Sequence, residues 1–437
     1  MIELIGKFTT ARVWIDDVET ECIRQITQMI NHPAFSNPVS VMPDCHAGKG
    51  SVIGFTMAIG DQIIPNVVGV DIGCGMLSFN VGTNLSVGFE KLDTLIREII
   101  PFGHESRDPY KVDLTAFPWE KINRQAVEFA GKIKKRWGVD VKVPEFSEKW
   151  FFRKCEKIDC NYSRAVGSIG TLGGGNHFIE IGESKKTGNY WVTIHSGSRN
   201  FGLKICEYWQ KYARDHLGNL RKNELNEKIK KIRGSGISRD LISREIEKAR
   251  QELGLGGTST AKGLEALPLE HMWGYLLDMV FAQMYASANR YTMAHGIATI
   301  LGVPITDEIE TVHNYVDFSD LIIRKGAIRS YEGEQMIIPF NMRDGILVCE
   351  GKSNPDWNFS APHGAGRVMS RSQAKKQLSL SDFQDQMKNV YSTSVVKETL
   401  DEAPEAYKDS EIIELSIEPT ATIVDRLVPV HNMKSTK

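Results

Sequence analysis

Asp71 and Cys74 stand three residues apart in the stretch VVGVDIGCGM, residues 67–76, the carboxylate closing an apolar run and the thiol held between Gly73 and Gly75. Two readings are open at this point. The stretch is a tight turn that happens to hold both groups, or it sets a pair of metal ligands at the mouth of a sheet. Four further stretches place a histidine beside glycine or at the end of a predicted strand: His177 in LGGGNHFIEI, His195 in TIHSGSRNFG, His313 in VHNYVD and His363 in SAPHGAGRVMSR. Such places present side chains to a cleft. Of the eleven histidines, His32, His104, His216, His271 and His431 lie outside these contexts and read as structural. Asp71, Cys74, His177, His195 and His313 together exceed the ligand count of a closed tetrahedral zinc site and of an open catalytic one. The surplus points to one crowded cation or to two cations sharing a ligand, and the thiolate of Cys74 is the candidate bridge. Mixed carboxylate, imidazole and thiolate ligation suits Zn, Mn or Co and disfavours Mg. Two close cations suit phosphoryl transfer, because they clamp attacking and leaving oxygens.

HGAGR at 363–367 is an element of a different kind. Its glycines let backbone approach a phosphate, Arg367 offers a fork for phosphate oxygens, and His363 can serve as a nucleophile that forms a phosphoramidate. HSGSR repeats the pattern with Ser196, Ser198 and Arg199.

The elements that must carry these groups are partly legible. TECIRQITQMINHP predicts an amphipathic helix stopped by Pro33, and KLDTLIREIIP predicts another. Residues 39–82 alternate short β-rich runs with Gly, Pro and Asp and predict strands and turns, while HFIEI and WVTIHS predict buried strands. Residues 105–150 are polar, rich in Trp and Pro, and fit no single pattern. Residues 217–255 predict a charged helical hairpin split by GSG and inserted in the domain, solvated on both arms, with a basic RNA-facing arm as the alternative. GLGGTSTAKG predicts a flexible loop, and PLEHMWGYLLDMVFAQMYASANRYTMAHGIATILG a long, mostly buried helix whose Met residues are core filler. From residue 321 the pattern returns to strands and Gly turns, then to a final helical stretch and a polar tail. No internal repeat, low-complexity segment or linker stands out, which predicts one intertwined α+β domain spanning residues 1–437.

The bulk numbers fit a globular chain. It has 437 residues, 41% hydrophobic and 25% charged, with a net charge of −2, so nucleic-acid binding would rest on a local patch rather than on the total. The start, MIELIGKFTTARVWIDD, carries no signal-peptide pattern, and no apolar run approaches the roughly 20 residues that cross a bilayer. Seven scattered cysteines, with Cys155 and Cys160 not at CxxC spacing, predict reduced thiols and a cytoplasmic setting.

Taken in order, MPDCHAGKG, VGVDIGCGM, LGGGNHFIEI, HSGSR, HNYV, RKGA, HGAGRVMSR and AYKD make a combination that resembles the RtcB family of RNA-splicing ligases nearly end to end. The resemblance implies a fold of that family's own type, with central β-sheets lining a metal-containing cleft. It implies joining of 2′,3′-cyclic phosphate or 3′-phosphate RNA ends to 5′-hydroxyl ends, with GTP and two Mn²⁺ ions, through a guanylylated histidine and a 3′-end-activated RNA. His363 matches the nucleophile, and Asp44 an acid near the metals placed to activate the 5′-hydroxyl. Asp71, Cys74, His177, His195 and His313 match the metal ligands, with Cys74 as bridge. Asn176, Phe178, Ile179, Glu180, Asn314, Asn341 and Met342 match nucleotide contacts, Glu180 at the guanine. Gly364, Ala365, Gly366, Tyr407 and Lys434 complete that pocket, and Arg199 and Arg367 match phosphate-binding residues. The expected partners are RNA and GTP, without a membrane, for a monomer acting in tRNA splicing or RNA repair. The chain departs from the family at PFNMRDG, where Phe340, Asn341 and Arg343 stand in for a glycine, a serine and a glycine, and Ile346 for a second serine. Cys45 takes a place where valine is common, and VPVHNMKSTK runs past the usual final Lys-Gly. The altered turn motivates an alternative: a metal-dependent end-processing or 3′-end capping enzyme with a different nucleotide preference.

Overall fold

The computed structural model describes residues 1–48, 50–253 and 263–437. Apart from Gly263, the loop expected at 254–263 lies outside the described residues. The fold is mixed α and β, as the sequence predicts, and is organised around two sheets.

The first sheet has six strands. β1 (Ile2–Ile5), β2 (Thr10–Val13), β3 (Val39–His46) and β4 (Ile53–Ala58) lie side by side, followed by β12 (Ile322–Lys325) and β11 (Asn314–Val316). The second has seven, in the order β10 (Glu308–Val312), β6 (Gly75–Gly82), β8 (Tyr190–Ser196), β7 (Phe178–Ser184), β17 (Ala421–Met433), β15 (Ile346–Gly351) and β14 (Gln335–Pro339). Two short pairs complete the strands: β13 (Ala327–Arg329) with β16 (Ser360–Pro362), and β5 (Gln62–Ile63) with β9 (Leu267–Pro268).

The predicted long helix is Leu269–Leu301. Its middle, Tyr275–Ala282, is buried without a break and so needs no apolar stripe, His295 and Thr299 are exposed toward its end, and Gly302 ends it at φ 70°. Tyr275, Leu276 and Phe281 pack into the larger core with the helices, while Met293, Ala294 and Ile297 join the core over β6, β7 and β8. In the stretch that fits no single pattern, Trp119–Trp137 is a helix that buries Ile122, Ala126, Phe129 and Ile133 along one stripe and stops at left-handed Gly138. The charged segment forms helices Leu217–Gly234 and Arg239–Glu252, the first continuing through a π turn, Tyr212–His216, from Arg199–Lys211. Among the described residues no helix is long and apolar enough to cross a membrane.

Two readings of elements are corrected. The apolar run before Asp71 is no strand: Pro65–Val68 is a short helix with proline at its start, and the chain bends through Asp71 into β6, which begins after Cys74. Asp71 and Cys74 therefore sit at the entry to a strand. Nor does the chain finish as a polar tail, because residues 421–433 form β17, bonded on both sides by β15 and β7.

Candidate active site

Four of the metal-type residues arrive at one end of the second sheet because the ladder puts them there. Cys74 precedes β6, His177 precedes β7, His195 lies at the end of β8, and His313 sits between β10 and β11. The register pairs Gly75 with Ser196 and with Val312, and Phe178 with His195. Cys74 Sγ is 3.5 Å from His177 Nε2 and 3.3 Å from His195 Nε2, and His195 Nε2 is 3.3 Å from His313 Nε2. Asp71 Oδ2 is 3.1 Å from His177 Nε2, while its Oδ1 accepts from Ser198 N at 2.9 Å. The donors form two groups, Cys74–His195–His313 and Asp71–Cys74–His177, each within 4.8 Å, and the thiol of Cys74 belongs to both.

The chemistry of this donor set fits divalent cations. His177 Nδ1 donates to the Leu172 carbonyl at 2.9 Å and His195 Nδ1 to the Asn176 carbonyl at 3.2 Å, which leaves both Nε2 lone pairs facing the cluster. Burial holds His195 and His313 well below the usual histidine range, so both are neutral, the form that ligates. Burial pushes Asp71 up, but in the cation-free protein a proton on His177 Nε2, with the charge of Arg199 and the Ser198 N–H, outweighs it and holds the carboxyl below its ordinary value; a bound cation would take the place of that proton. Burial, with Asp71 beside it, pushes the Cys74 thiol well up, and a bound cation is what would make it a thiolate.

His363 follows β16 and turns its ring toward the cluster, 4.9 Å from the His313 ring centroid. Asp44, on β3 and 0% exposed, accepts from His363 Nδ1 at 2.6 Å and from His363 N at 3.2 Å through the same Oδ2. That fixes the tautomer: Nδ1 carries the proton and Nε2 keeps its lone pair. Gly366 lies at φ 73°, and a Cβ there would overlap the Asp44 carbonyl, so the HGAGR turn closes directly over Asp44.

A cavity of about 260 Å³ opens beside His363. His195 and His313 form one wall with Asn176, Phe178 and Glu180, and Asn341 and Met342 form another. Gly364, Ala365, Gly366 and Arg367 lie along it with Tyr407 and Lys434. Two expected contacts are not part of the lining. Ile179 is buried in the apolar core over β7, and Asn314 is scaffold, its Oδ1 accepting from Gly326 N and its carbonyl from Gly73 N. Arg199 faces a second cavity with Asp71 and His177, and donates to Thr171 Oγ1 and the Gly103 carbonyl. The Asn341 side chain is spent on its own turn, accepting from Arg343 N and Asp344 N and donating to Asp344 at 2.7 Å.

The structure adds residues that sequence reading passed over: His46, Glu402, Arg371 and Asn432 all reach the first cavity. Glu402, 3% exposed, accepts from Lys434 at 2.7 Å, Tyr407 at 2.8 Å and Arg371 at 2.5 Å. Burial works against its charge, yet Lys434 and Arg371 hold it down to about 2. Glu180 has the opposite balance: burial raises it to about 8, and Asn432 and Lys434 offset this only in part. Nearby, Arg367 engages Met369 O and Asp401 O, and its buried Nη1 faces Glu402 Oε1 at 3.6 Å, an ion pair beyond hydrogen-bond distance.

The RtcB family model, described as tRNA-splicing ligase RtcB, matches residues 25–435. RNA-splicing ligase RtcB of Escherichia coli K12 is 31% identical over 91% of this chain and 90% of its own length. The tRNA-splicing ligase RtcB of Pyrobaculum aerophilum is 27% identical over 84% and 81%, and the RNA-splicing ligase RtcB of Mycobacterium tuberculosis is 26% identical over 94% and 100%. A buried histidine–carboxylate pair beside a thiol-centred ligand cluster, carried by a chain that matches this family along nearly its whole length, belongs to an enzyme of the RtcB family of RNA-splicing ligases.

Proposed function

We propose that this ligase joins RNA ends bearing a 3′-phosphate or 2′,3′-cyclic phosphate to 5′-hydroxyl ends, consuming GTP through a guanylylated His363. The observation that carries the proposal is the Asp44–His363 pair, which leaves Nε2 as a nucleophile at the edge of a nucleotide-sized cavity and beside the ligand cluster. Nε2 attacks the α-phosphorus, the bond to the β-phosphate oxygen breaks, and pyrophosphate leaves. The imidazolium that forms keeps its Nδ1 proton on Asp44. An oxygen of the RNA 3′-phosphate then attacks the same phosphorus, the P–N bond breaks, and neutral His363 is restored. The 5′-hydroxyl oxygen attacks the activated 3′-phosphorus, its proton passing in the end to solvent, the bond from that phosphorus to the GMP oxygen breaks, and GMP departs. A cyclic phosphate first takes up water to become the 3′-phosphate.

Two Mn²⁺ ions would be held by Asp71, Cys74, His177, His195 and His313, Cys74 being common to both donor groups, and would supply positive charge to phosphate oxygens. In this reading Glu180 accepts from the guanine edge, Lys434 and Tyr407 are set by Glu402, and Arg367, ion-paired to Glu402, lends positive charge to a phosphate. Arg199 serves RNA phosphate from the side of the second cavity. Asp44 positions His363 through Oδ2, while its buried Oδ1 keeps no hydrogen-bond partner among the described residues, which leaves the expected part in activating the 5′-hydroxyl to that oxygen.

The test is incubation with Mn²⁺ and each of the four α-labelled nucleoside triphosphates, with His363→Ala alongside. Label on the denatured protein from GTP alone, lost in the variant, is the expected result. One observation favours a second reading. Asn341, tied into its own turn, is not free for the nucleotide, so label from another triphosphate would keep the mechanism and change the nucleotide. No label from any would replace the ligase reading with end processing.

A further inference from the structure

Two side chains in the middle of the long helix Leu269–Leu301 have no part in the reaction above, yet both are 0% exposed and both bond only to the segments that carry the metal-type residues or to a partner of those bonds. Asn289 Oδ1 accepts from Gly170 N at 2.8 Å and Thr171 N at 3.0 Å, at the head of the loop that leads to His177. Its Nδ2 donates to Ser196 Oγ at 3.0 Å and to the Gly197 carbonyl at 3.1 Å, just past His195. Arg290 Nη1 donates to the Gly73 carbonyl at 2.8 Å, beside Cys74, and to the Ser196 carbonyl at 2.7 Å. Its other nitrogens pair with Glu310 at 2.8 and 3.3 Å. The network reaches one bond further: Ser196 Oγ donates to the Leu172 carbonyl, which also accepts from His177 Nδ1. The helix leaves no slack at this point. Gly73 sits at φ 73°, and a Cβ there would meet Gln283 Cα at 2.9 Å.

We infer that Asn289 and Arg290 are positioning residues for the metal centre, clamping the Cys74, His177 and His195 segments to a single helix so that their donors converge before any cation arrives. The inference rests on the reading of Asp71, Cys74 and the three histidines as metal ligands. A buried amide that satisfies four groups on two segments, and a guanidinium that ties a third segment to the second through two carbonyls, are costly to retain for packing alone. Groups that orient ligands in this way typically account for about 10–100-fold in metal affinity.

The test is Co²⁺ titration of the full chain after chelation, followed by the thiolate-to-cobalt charge-transfer absorption, with the thermal midpoint of the metal-free protein measured in parallel. Arg290→Lys keeps the charge but not the fork. Asn289→Asp keeps the acceptor and loses both donors. Ser196→Ala removes one hydroxyl at almost no cost in volume, which makes it the variant that folds if the others do not. Positioning predicts Co²⁺ affinity lower by about 10-fold or more and a weakened or shifted charge-transfer band at saturation, in protein whose metal-free midpoint shows it folded. Wild-type affinity and an unchanged band in the folded variants would overturn the clamp while leaving the ligand assignment standing. A wild-type protein that binds Co²⁺ without a thiolate band would overturn the ligand assignment itself, and the clamp with it.

Discussion

Asp44 meets His363 across 319 residues of sequence, and a single carboxylate oxygen holds both the ring and its backbone. Asp44→Asn keeps the shape and removes the charge that favours the Nδ1–H tautomer. Adduct formation should fall on the order of 100-fold, because a misdirected nucleophile costs that much, while circular dichroism stays unchanged. Glu180 gives a pH signature. Burial lifts it from an ordinary value near 4.5 to about 8, so at neutral pH it is largely protonated. If its carboxylate accepts from the base, triphosphate affinity should rise as pH climbs through about 8 and level above it. Glu180→Gln, which cannot ionise, should flatten the rise. Stability runs the other way: a raised carboxyl contributes fully below pH 4.5, and that contribution is lost as pH rises through about 8. The histidines that cluster with Cys74 were legible from their glycine-rich or strand-end surroundings. Glu402 was not, since in DEAPEAY it is one acid among several, and only the fold brings Lys434, Tyr407 and Arg371 to it.

At the scale of elements, the turn after His363 and the helix behind it make a contrast. Gly366→Ala forces a left-handed residue, at about 1–2 kcal/mol, and drives a methyl into the Asp44 carbonyl. It should lower the denaturation midpoint and depress adduct formation together. Ser370 caps the helix Arg371–Gln377 with a capping box, and Ser370→Ala should lower stability by about 1 kcal/mol without touching the adduct. The two misread elements have physical reasons. Pro65 is at the first position of its short helix, where a missing N–H costs nothing, but four residues of Val, Asn and Pro give no helical period to read. In β17, Asp425, Arg426, Pro429 and His431 blur the alternation of a strand. Pro429 is tolerated because the register shifts between it and His431, where no ladder bond to its nitrogen is required.

At the scale of the molecule, the strands were partly visible and their partners were not. The order β10-β6-β8-β7-β17-β15-β14 joins segments whose alternation says which face is buried but not which neighbour lies beside it. Acid stability tests the interior as a whole. Glu402 is held at about 2 against an ordinary value near 4.5, so it contributes stability above pH 4.5 that is lost as pH falls through about 2. Glu402→Gln should cost about 3 kcal/mol at neutral pH, leaving Lys434 and Arg371 without their shared anion, and the gap from wild type should close by pH 2 in denaturant titrations. The central place of β17 has a consequence in time. β7 and β15, the strands it joins, leave the ribosome before it, and more than two hundred residues separate Ser184 from Ala421. At about 5–20 residues per second, β7 waits roughly 10–50 s for its neighbour. Through that interval the nascent chain carries two open strand edges and a cavity without Lys434. The chain therefore closes its second sheet and completes the cavity beside His363 in the same late step, and a ribosome that stalls before residue 421 releases a product with an unfinished site and open strand edges that invite aggregation.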